Sequence, residues 1–493
     1  MTQHLPVLQV AIPLLASAVC AIVRNARIAW LIALATTWTA FVIALNLLFR
    51  VQSEGIISYA LGGWAAPYGI EYRVDLLNAF ILVIVTAIGS VVIPFALKSV
   101  ECEVDKSKGS LFYTAYILCF TGLLGIAVTG DVFNVFVFLE ISSLSAYALI
   151  AMGQDRKALT ASFQYLIMGA VGATFIVIGI GLMYVMTGTL NMADLAARIP
   201  EVRANRTIPV AFGFLTVGIS LKLALFPLHL WLPNAYTYAP SAVTAFIAST
   251  ATKVAVYVLL RFFFTIFGIA FSFDIMQLHI VLLPLALIAI FSMSLVAIFQ
   301  QNVKRMMAYS SLAQIGYMIL GISMVSVTGL TAGIIHLFNH AMMKGALFMA
   351  LGCVMYRIGS VDISAMRGLG KRMPWTMAAF VGAGLSLIGV PLTVGFISKW
   401  YLILGALEQS WWPVVVVVLI TSLMAVVYIW RVVEVAYFKD YPDYDCKPVC
   451  EAPLGLLVPT WVLVATSFYF GIDASFTTKI AEAAARTLLG IGL

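Results

Sequence analysis

The chain has 493 residues, 63% of them hydrophobic and 10% charged, with a mean hydropathy of +1.05. A soluble domain carries about 25% charged residues, so the composition excludes one and specifies an integral membrane protein. The net charge of +7 reflects loop cations and a few intramembrane amines, and is no sign of nucleic-acid binding.

The apolar runs have the roughly 20-residue length that a spanning helix needs, unlike the short alternating strands of a barrel. The expected fold is an all-α polytopic membrane protein. About fourteen spans are expected, at 5–23, 28–49, 74–97, 111–129, 132–152, 160–187, 208–236, 240–268, 276–299, 308–326, 328–356, 376–407, 413–438 and 452–470. The first has no cationic segment before it and no small-residue cleavage pattern after it. It is read as a retained helix and not a cleaved signal. The runs 208–236 and 376–407 are long and interrupted by Pro227 and Pro391, and are read as broken helices.

Loop charge sets the orientation. Eight Lys and Arg residues fall on the side of the N-terminus, among them Arg50, Arg73, Arg198 and Arg261. Sixteen fall on the opposite side, among them Lys98, Arg156, Lys304 and the Arg357–Arg372 loop. Both termini are therefore expected outside. The remaining four, Lys222, Lys253, Lys344 and Lys399, lie inside spans. The six cysteines are scattered. Cys446 and Cys450 share a loop with no histidine or second cysteine pair, which reads as unpaired thiols more readily than as a zinc site.

The intramembrane charges carry the chemistry. A charge at the bilayer centre costs at least about 2.5–3.5 kcal/mol on insertion scales. Glu140, in GDVFNVFVFLEISSLSAY, is the one acid read as deep within a span. Snorkelling would explain a lysine near a span end. Lys253, however, stands 13 residues after Pro240 and 15 before Gly268, roughly 20 Å from either end at 1.5 Å per residue. Lys222 and Lys344 are also mid-span, and Lys399 is nearer its helix end. A static ion pair would explain one lysine, because Glu140 neutralises only one. Desolvation favours the neutral form of an amine, so deep amines without carboxylates are candidates for a proton relay.

In TAGIIHLFNHAMMKGALF, His336, His340 and Lys344 are spaced i, i+4, i+8 and share one helix stripe. A lone histidine is more often a satisfied core residue; three ionisable groups on one stripe favour a relay. Two histidines at i and i+4 could also ligate a metal, but the glutamate of HExxH is missing and Lys344 would repel a cation. No metal and no cofactor is expected. In GISLKLALFPLHLWLP, Lys222 precedes Pro227 and His229 follows it, so the amine stands where the helix break admits water. In SLIGVPLTVGFISKWY the order is reversed, Pro391 before Lys399. Broken helices in corresponding halves suggest an internal repeat, often inverted.

The runs GDVFNVFVFLE, LKLALFPLHLWLPNAYTYAPSAVTAFIASTATK, NVKRMMAYSSLAQIGYM and FNHAMMKGALF resemble the proton-translocating antiporter subunits shared by Mrp-type cation/proton antiporters and respiratory complex I. The resemblance covers about 110–405, and the wording of the first run is most similar to the D subunit of the Mrp type. It implies two inverted five-helix repeats, and thus divisions at 1–108 (three spans), 109–272 and 273–440 (the repeats) and 441–493 (a loop and the last span). It also implies a proton relay of Glu140, Lys222, Lys253, His336, His340, Lys344 and Lys399. Lys399 departs from the glutamate usual in the middle antiporter-like subunit of complex I. The implied function is proton translocation within a hetero-oligomeric sodium/proton antiporter of a bacterial or archaeal cytoplasmic membrane. The alternative is a pump subunit of a redox complex, a quinone oxidoreductase or a membrane hydrogenase. No GxGxxG after a strand, no Fe–S cysteine cluster and no soluble domain is present in the sequence, so any electron transfer belongs to partner chains. With Glu140 the single deep carboxylate, sodium passes through a partner or this chain moves protons only.

Overall fold

The computed structural model describes residues 2–440 and 449–491, which leaves Cys446 outside. The helices are, in order, α1 (Leu5–Ile22), α2 (Ala26–Glu54), α3 (Leu76–Glu103), α4 (Gly109–Val128), α5 (Val132–Ala151), α6 (Lys157–Thr187), α7 (Met192–Val202), α8 (Thr207–Leu223), α9 (Trp231–Tyr238) and α10 (Ser241–Leu260). There follow α11 (Leu278–Ile298), α12 (Val303–Ser323), α13 (Val327–Ile358), α14 (Leu369–Arg372), α15 (Pro374–Ile388), α16 (Val394–Glu408), α17 (Trp412–Phe438), α18 (Leu454–Ile472) and α19 (Ser475–Leu488). Among the described residues, 11 helices are long and apolar enough to cross a membrane, and α8 and α15 are shorter apolar helices. The chain is an all-α polytopic membrane protein.

Each expected run holds a helix, and both expected breaks are present, between α8 and α9 and between α15 and α16. One boundary differs for an instructive reason. Lys304 and Arg305 read as loop charges, so the run was expected from 308. Instead Asn302 caps α12 by accepting the Arg305 N–H at 3.1 Å, and Lys304 is buried inside the first turn. Three elements were not foreseen. An antiparallel hairpin pairs β1 (Ile57–Ala60) with β2 (Glu71–Val74) in the register Ile57↔Val74. The amphipathic helices α7 and α19 bury one face each, α19 through Ile480, Ala481, Ala484, Ala485 and Leu488. The last division, 441–493, therefore holds a second helix after its span, and this helix packs on α3 and α13.

Two helices form the centre. α10 and α13 are buried along almost their whole length, while α2, α6 and α17 present Leu, Val and Phe side chains outward. Between membrane helices, packing and not hydrophobic expulsion drives contact, so small residues set the closest approaches. A Cβ added at Gly352 would meet the Ser241 Cβ of α10 at 2.8 Å, and one at Gly345 would meet the Ser249 Oγ at 3.2 Å and the Leu463 Cδ1 at 2.6 Å.

A clasp of two backbone bonds occurs twice. At the start of α5, Val132 N donates to Leu190 O (2.9 Å) and Met192 N to Gly130 O (2.8 Å). At the start of α12, Val303 N donates to Val361 O (2.9 Å) and Ile363 N to Gln301 O (2.9 Å). The first clasp lies beside the β-hairpin, where Tyr72 bridges Thr129. The second lies on the opposite face, with residues 153–155 and 237–240. The same device on opposite faces is the arrangement expected of two inverted copies.

Arg261, counted with the loop charges although the expected 240–268 run covers it, is buried at the start of a π-helical turn, Arg261–Ile266, that prolongs α10. Its guanidinium pairs with Asp75, which caps α3 by accepting from Asn78 N at 3.0 Å, and its Nε donates to the Tyr257 hydroxyl at 3.2 Å. Removing one partner of such a pair leaves a buried charge alone, at about 3–5 kcal/mol. Arg261→Ala is therefore expected to lower the melting temperature in detergent, and Arg261→Met combined with Asp75→Asn to lower it much less.

Candidate functional site

The polar groups of the membrane interior form a row across the molecule. At one end, Lys222 in the last turn of α8 donates to Glu140 Oε1 and to Ser143 Oγ, both at 3.0 Å. Glu140 and Ser143 are one turn apart on α5. The Lys222 side chain is 5% exposed and that of Glu140 26%. Glu140 shares its stripe with Phe133, Val137 and Leu144, which are exposed on the flank of the molecule. The deep carboxylate thus reaches that flank.

The first helix break is built as follows. Ala224 takes a left-handed conformation (φ 58°), Leu225 N returns to Ser220 O at 2.9 Å, and Phe226–Pro227 is a cis peptide. The Trp231 indole N–H donates to Leu221 O at 3.1 Å, a carbonyl that also accepts from Ala224 N at 3.2 Å. His229 stacks on Phe226 (ring centroids 5.4 Å apart), and its Nδ1 has no partner among the described residues. No bond joins His229 to Lys222, whose amine turns to α5 instead.

A cavity of about 20 Å³, lined by Lys222, Ser143 and Tyr165 and by Ala251, Val254 and Ala255 of α10, separates the first pair from the centre. That is room for a single water molecule. Lys253 on α10 is fully buried and donates to Ala248 O and, at 3.4 Å, to Thr252 Oγ1. Lys344 on α13 donates to Met307 O and Ser310 Oγ, both at 2.9 Å, and the Ser310 hydroxyl lies 3.0 Å from that of Tyr428. Met307 is in the first turns of α12, so the Lys344 amine leans from the mid-span depth expected of it toward the face that bears Asn302.

His336 and His340 stack with parallel rings 6.0 Å apart. His336 Nδ1 lies 2.8 Å from Ser398 Oγ, while its Nε2 and both ring nitrogens of His340 have no partner among the described residues. Lys253, Lys344 and His336 are the charged or titratable groups within electrostatic reach of His340, and Lys399 and Lys253 of His336. At the far end, Lys399 of α16 donates to Leu387 O (3.1 Å) and Ile388 O (2.8 Å), the carbonyls freed where α15 ends at Gly389 (φ 90°) before Pro391. Its amine also lies 5.2 Å over the Tyr317 ring. With 6% of the residue exposed and the amine turned to the break, Lys399 does not snorkel.

The structure thus brings Glu140 and Lys222 together at one end, and Lys253, Lys344, His340, His336 and Lys399 together in a second group. Pro227 and Pro391 mark the two breaks, and His229 stands apart. Sequence reasoning gave Glu140 one lysine to neutralise, which the structure shows to be Lys222, and missed the other partners of the amines. Ser143 had a local signal, one turn beyond Glu140. The carbonyls of Met307, Leu387 and Ile388 had none, because every residue has a carbonyl.

Residues 129–425 match the family model described as NADH:quinone oxidoreductase/Mrp antiporter, TM. The chain belongs to this family. It is 40% identical to the N subunit of the NADH-quinone oxidoreductase of Desulforudis audaxviator, over 94% of each chain. It is 29% identical to the D subunit of the Na(+)/H(+) antiporter of Bacillus subtilis, over 98% of this chain and 97% of that one. Its fold matches a chain in the structure of the Mrp complex from Dietzia sp. DQ12-45-1b with a TM-score of 0.90 at 24% identity, covering 99% of this chain and 97% of that one. The family places the row of amines in a membrane subunit of antiporter type.

Proposed function

We propose that the chain is the proton-translocating subunit of a multi-subunit monovalent cation/proton antiporter, with sodium the expected cation. Protons pass laterally from Lys222 through Lys253 and the His336, His340 and Lys344 group to Lys399, and Glu140 holds the charge on Lys222. One observation carries the reading. Lys253, Lys344 and Lys399 are buried at membrane depth with only carbonyls and hydroxyls as hydrogen-bond partners. A static ion-pair network would give each a carboxylate.

The repeats are assigned to 109–272 and 273–440, preceded by three spans in 1–108 and followed by the last span and α19 in 441–493. Fourteen spans put both termini outside a bacterial or archaeal cytoplasmic membrane. The partly exposed Glu140 on an apolar flank supports a partner subunit there, since a carboxylate facing lipid is costly. No cofactor is assigned to this chain, and the sodium path is assigned to a partner.

A second reading, a pump subunit of a redox complex, is favoured by the 40% identity to a quinone oxidoreductase subunit. Both readings use the same row of amines and differ in what drives it. Vesicles containing the whole complex separate them: sodium-gradient-driven proton movement without electron donor supports the antiporter, and movement that requires donor and quinone supports the pump.

Three outcomes are expected in such vesicles. Glu140→Ala abolishes proton movement and Glu140→Asp keeps part of it, measured with a pH-sensitive dye; unchanged rates in Glu140→Ala would remove Glu140 from the path. Lys253→Arg keeps the charge but holds its proton, so its rate falls as far as that of Lys253→Ala; full activity would make Lys253 a fixed charge and not a carrier. Impermeant thiol reagents reach cysteines placed in 357–372 from the cytoplasmic side and cysteines near either terminus from outside.

A further inference from the structure

Lys304 is buried with 1% of its side chain exposed, and the proposed row of carriers does not use it. Its nearest acid is Glu103, the last residue of α3, whose side chain is 14% exposed. The pair is loose. Lys304 Nζ lies 3.9 Å from Glu103 Oε2 and 3.2 Å from Ala239 O. The carboxylate meanwhile accepts from Ser241 N (2.9 Å), Ser241 Oγ (3.0 Å) and Ser99 Oγ (2.7 Å). Both residues line a cavity of about 300 Å³ that opens between residues 153–155, 237–240 and 359–361. Asp155, Gln154 and Asn302 are the other charged or amide side chains in its wall.

The cavity leads inward along α12. Lys304 starts that helix, Met307 is one turn on, and Ser310 two turns on. Met307 O and Ser310 Oγ are the two acceptors of Lys344. Six residues of helix span about 9 Å. On α10, the Ser249 hydroxyl abuts Gly345, beside Lys344, and has no partner among the described residues; Lys253 is one turn away. A buried hydroxyl without a protein partner is a group to which ordered water bonds. Titratable and hydroxyl groups therefore stand at intervals between the cavity and the two central lysines, with gaps that ordered water can bridge.

We propose that Glu103 and Lys304 form the doorway through which the row of carriers exchanges protons with water on the face bearing Asn302, the cytoplasmic face in the orientation proposed above. The Lys304 ammonium passes its proton through ordered water at Ser310 to a neutral Lys344. The neutral Lys304 then takes a proton from water in the cavity, and the Glu103 carboxylate holds the restored charge. One proton enters and one moves on. The inference rests on the relay proposed above.

The test uses vesicles of the complete complex, with assembly checked by size exclusion. Lys304→Arg preserves the positive charge and the contact with Glu103 but holds its proton. It is expected to slow proton movement at least tenfold in an assembled complex, as Lys304→Met does. Full-rate Lys304→Arg would make the pair a structural tie and overturn the doorway. Should the Lys304 variants fail to assemble, Ser360→Cys on the cavity wall decides, with Cys102→Ser, Cys446→Ser and Cys450→Ser as background. Labelling it with a bulky impermeant thiol reagent from the cytoplasmic side is expected to block movement relative to the same complex unlabelled. An unchanged rate after complete labelling would overturn the proposal. A complex without substitutions that moves no protons under any drive would instead refute the relay.

Discussion

An ammonium taken out of water must find oxygen atoms nearby, and in this protein the main chain supplies most of them. Lys253 bonds Ala248 O, Lys304 bonds Ala239 O, Lys344 bonds Met307 O, and Lys399 bonds Leu387 O and Ile388 O. Among the buried lysines of the described residues, Lys222 alone is bonded directly to a carboxylate. Hydroxyls complete several of these sites, Ser143 beside Lys222 and Ser310 beside Lys344. A hydroxyl accepts from an ammonium and donates to a neutral amine. Such a partner serves both charge states, which a carboxylate does not.

The broken helices follow from the same need. A continuous helix consumes its own carbonyls, so an amine inside one has few acceptors. At the first break Leu221 O is taken by Trp231 and by Ala224 N, and Lys222 turns to Glu140. At the second break no indole intervenes, and Lys399 takes the freed carbonyls itself. The two halves are thus similar in architecture and different in chemistry. One ends in an ion pair on the molecular flank, the other in an amine held by a helix end.

The spans and both breaks were legible because they rest on run length and on proline, which act locally. The i, i+4, i+8 stripe on α13 was legible for the same reason, and the structure stacks its two histidines. Lys304 was misread as a loop charge, because a cation at the edge of an apolar run looks the same whether the helix starts before or after it; Arg261 was counted with the loop charges although the 240–268 run reaches past it. Only Asn302 and Asp75, acting as caps or partners, decide the matter. α19 escaped because its mixed composition lacks the hydropathy of a span, although Ile480, Ala484 and Leu488 have the spacing of a buried face. The exposure of Glu140 was beyond reach, since the side toward which a helix turns depends on helices far away in sequence.

The seam between α10 and α13 has a consequence for how such a protein can change over time. Gly345 and Gly352 leave room on the helix carrying His340 and Lys344 for neighbouring side chains, among them Ser249 and Ser241 of the helix carrying Lys253. Proton hopping falls off steeply with separation. A methyl group gained at either glycine would press on those side chains and so shift the spacing of the carriers without touching any of them. Outward-facing residues of α2, α6 and α17 can drift with the lipids they meet, while a few hydrogens in place of methyl groups at the centre hold the conductor to its gauge.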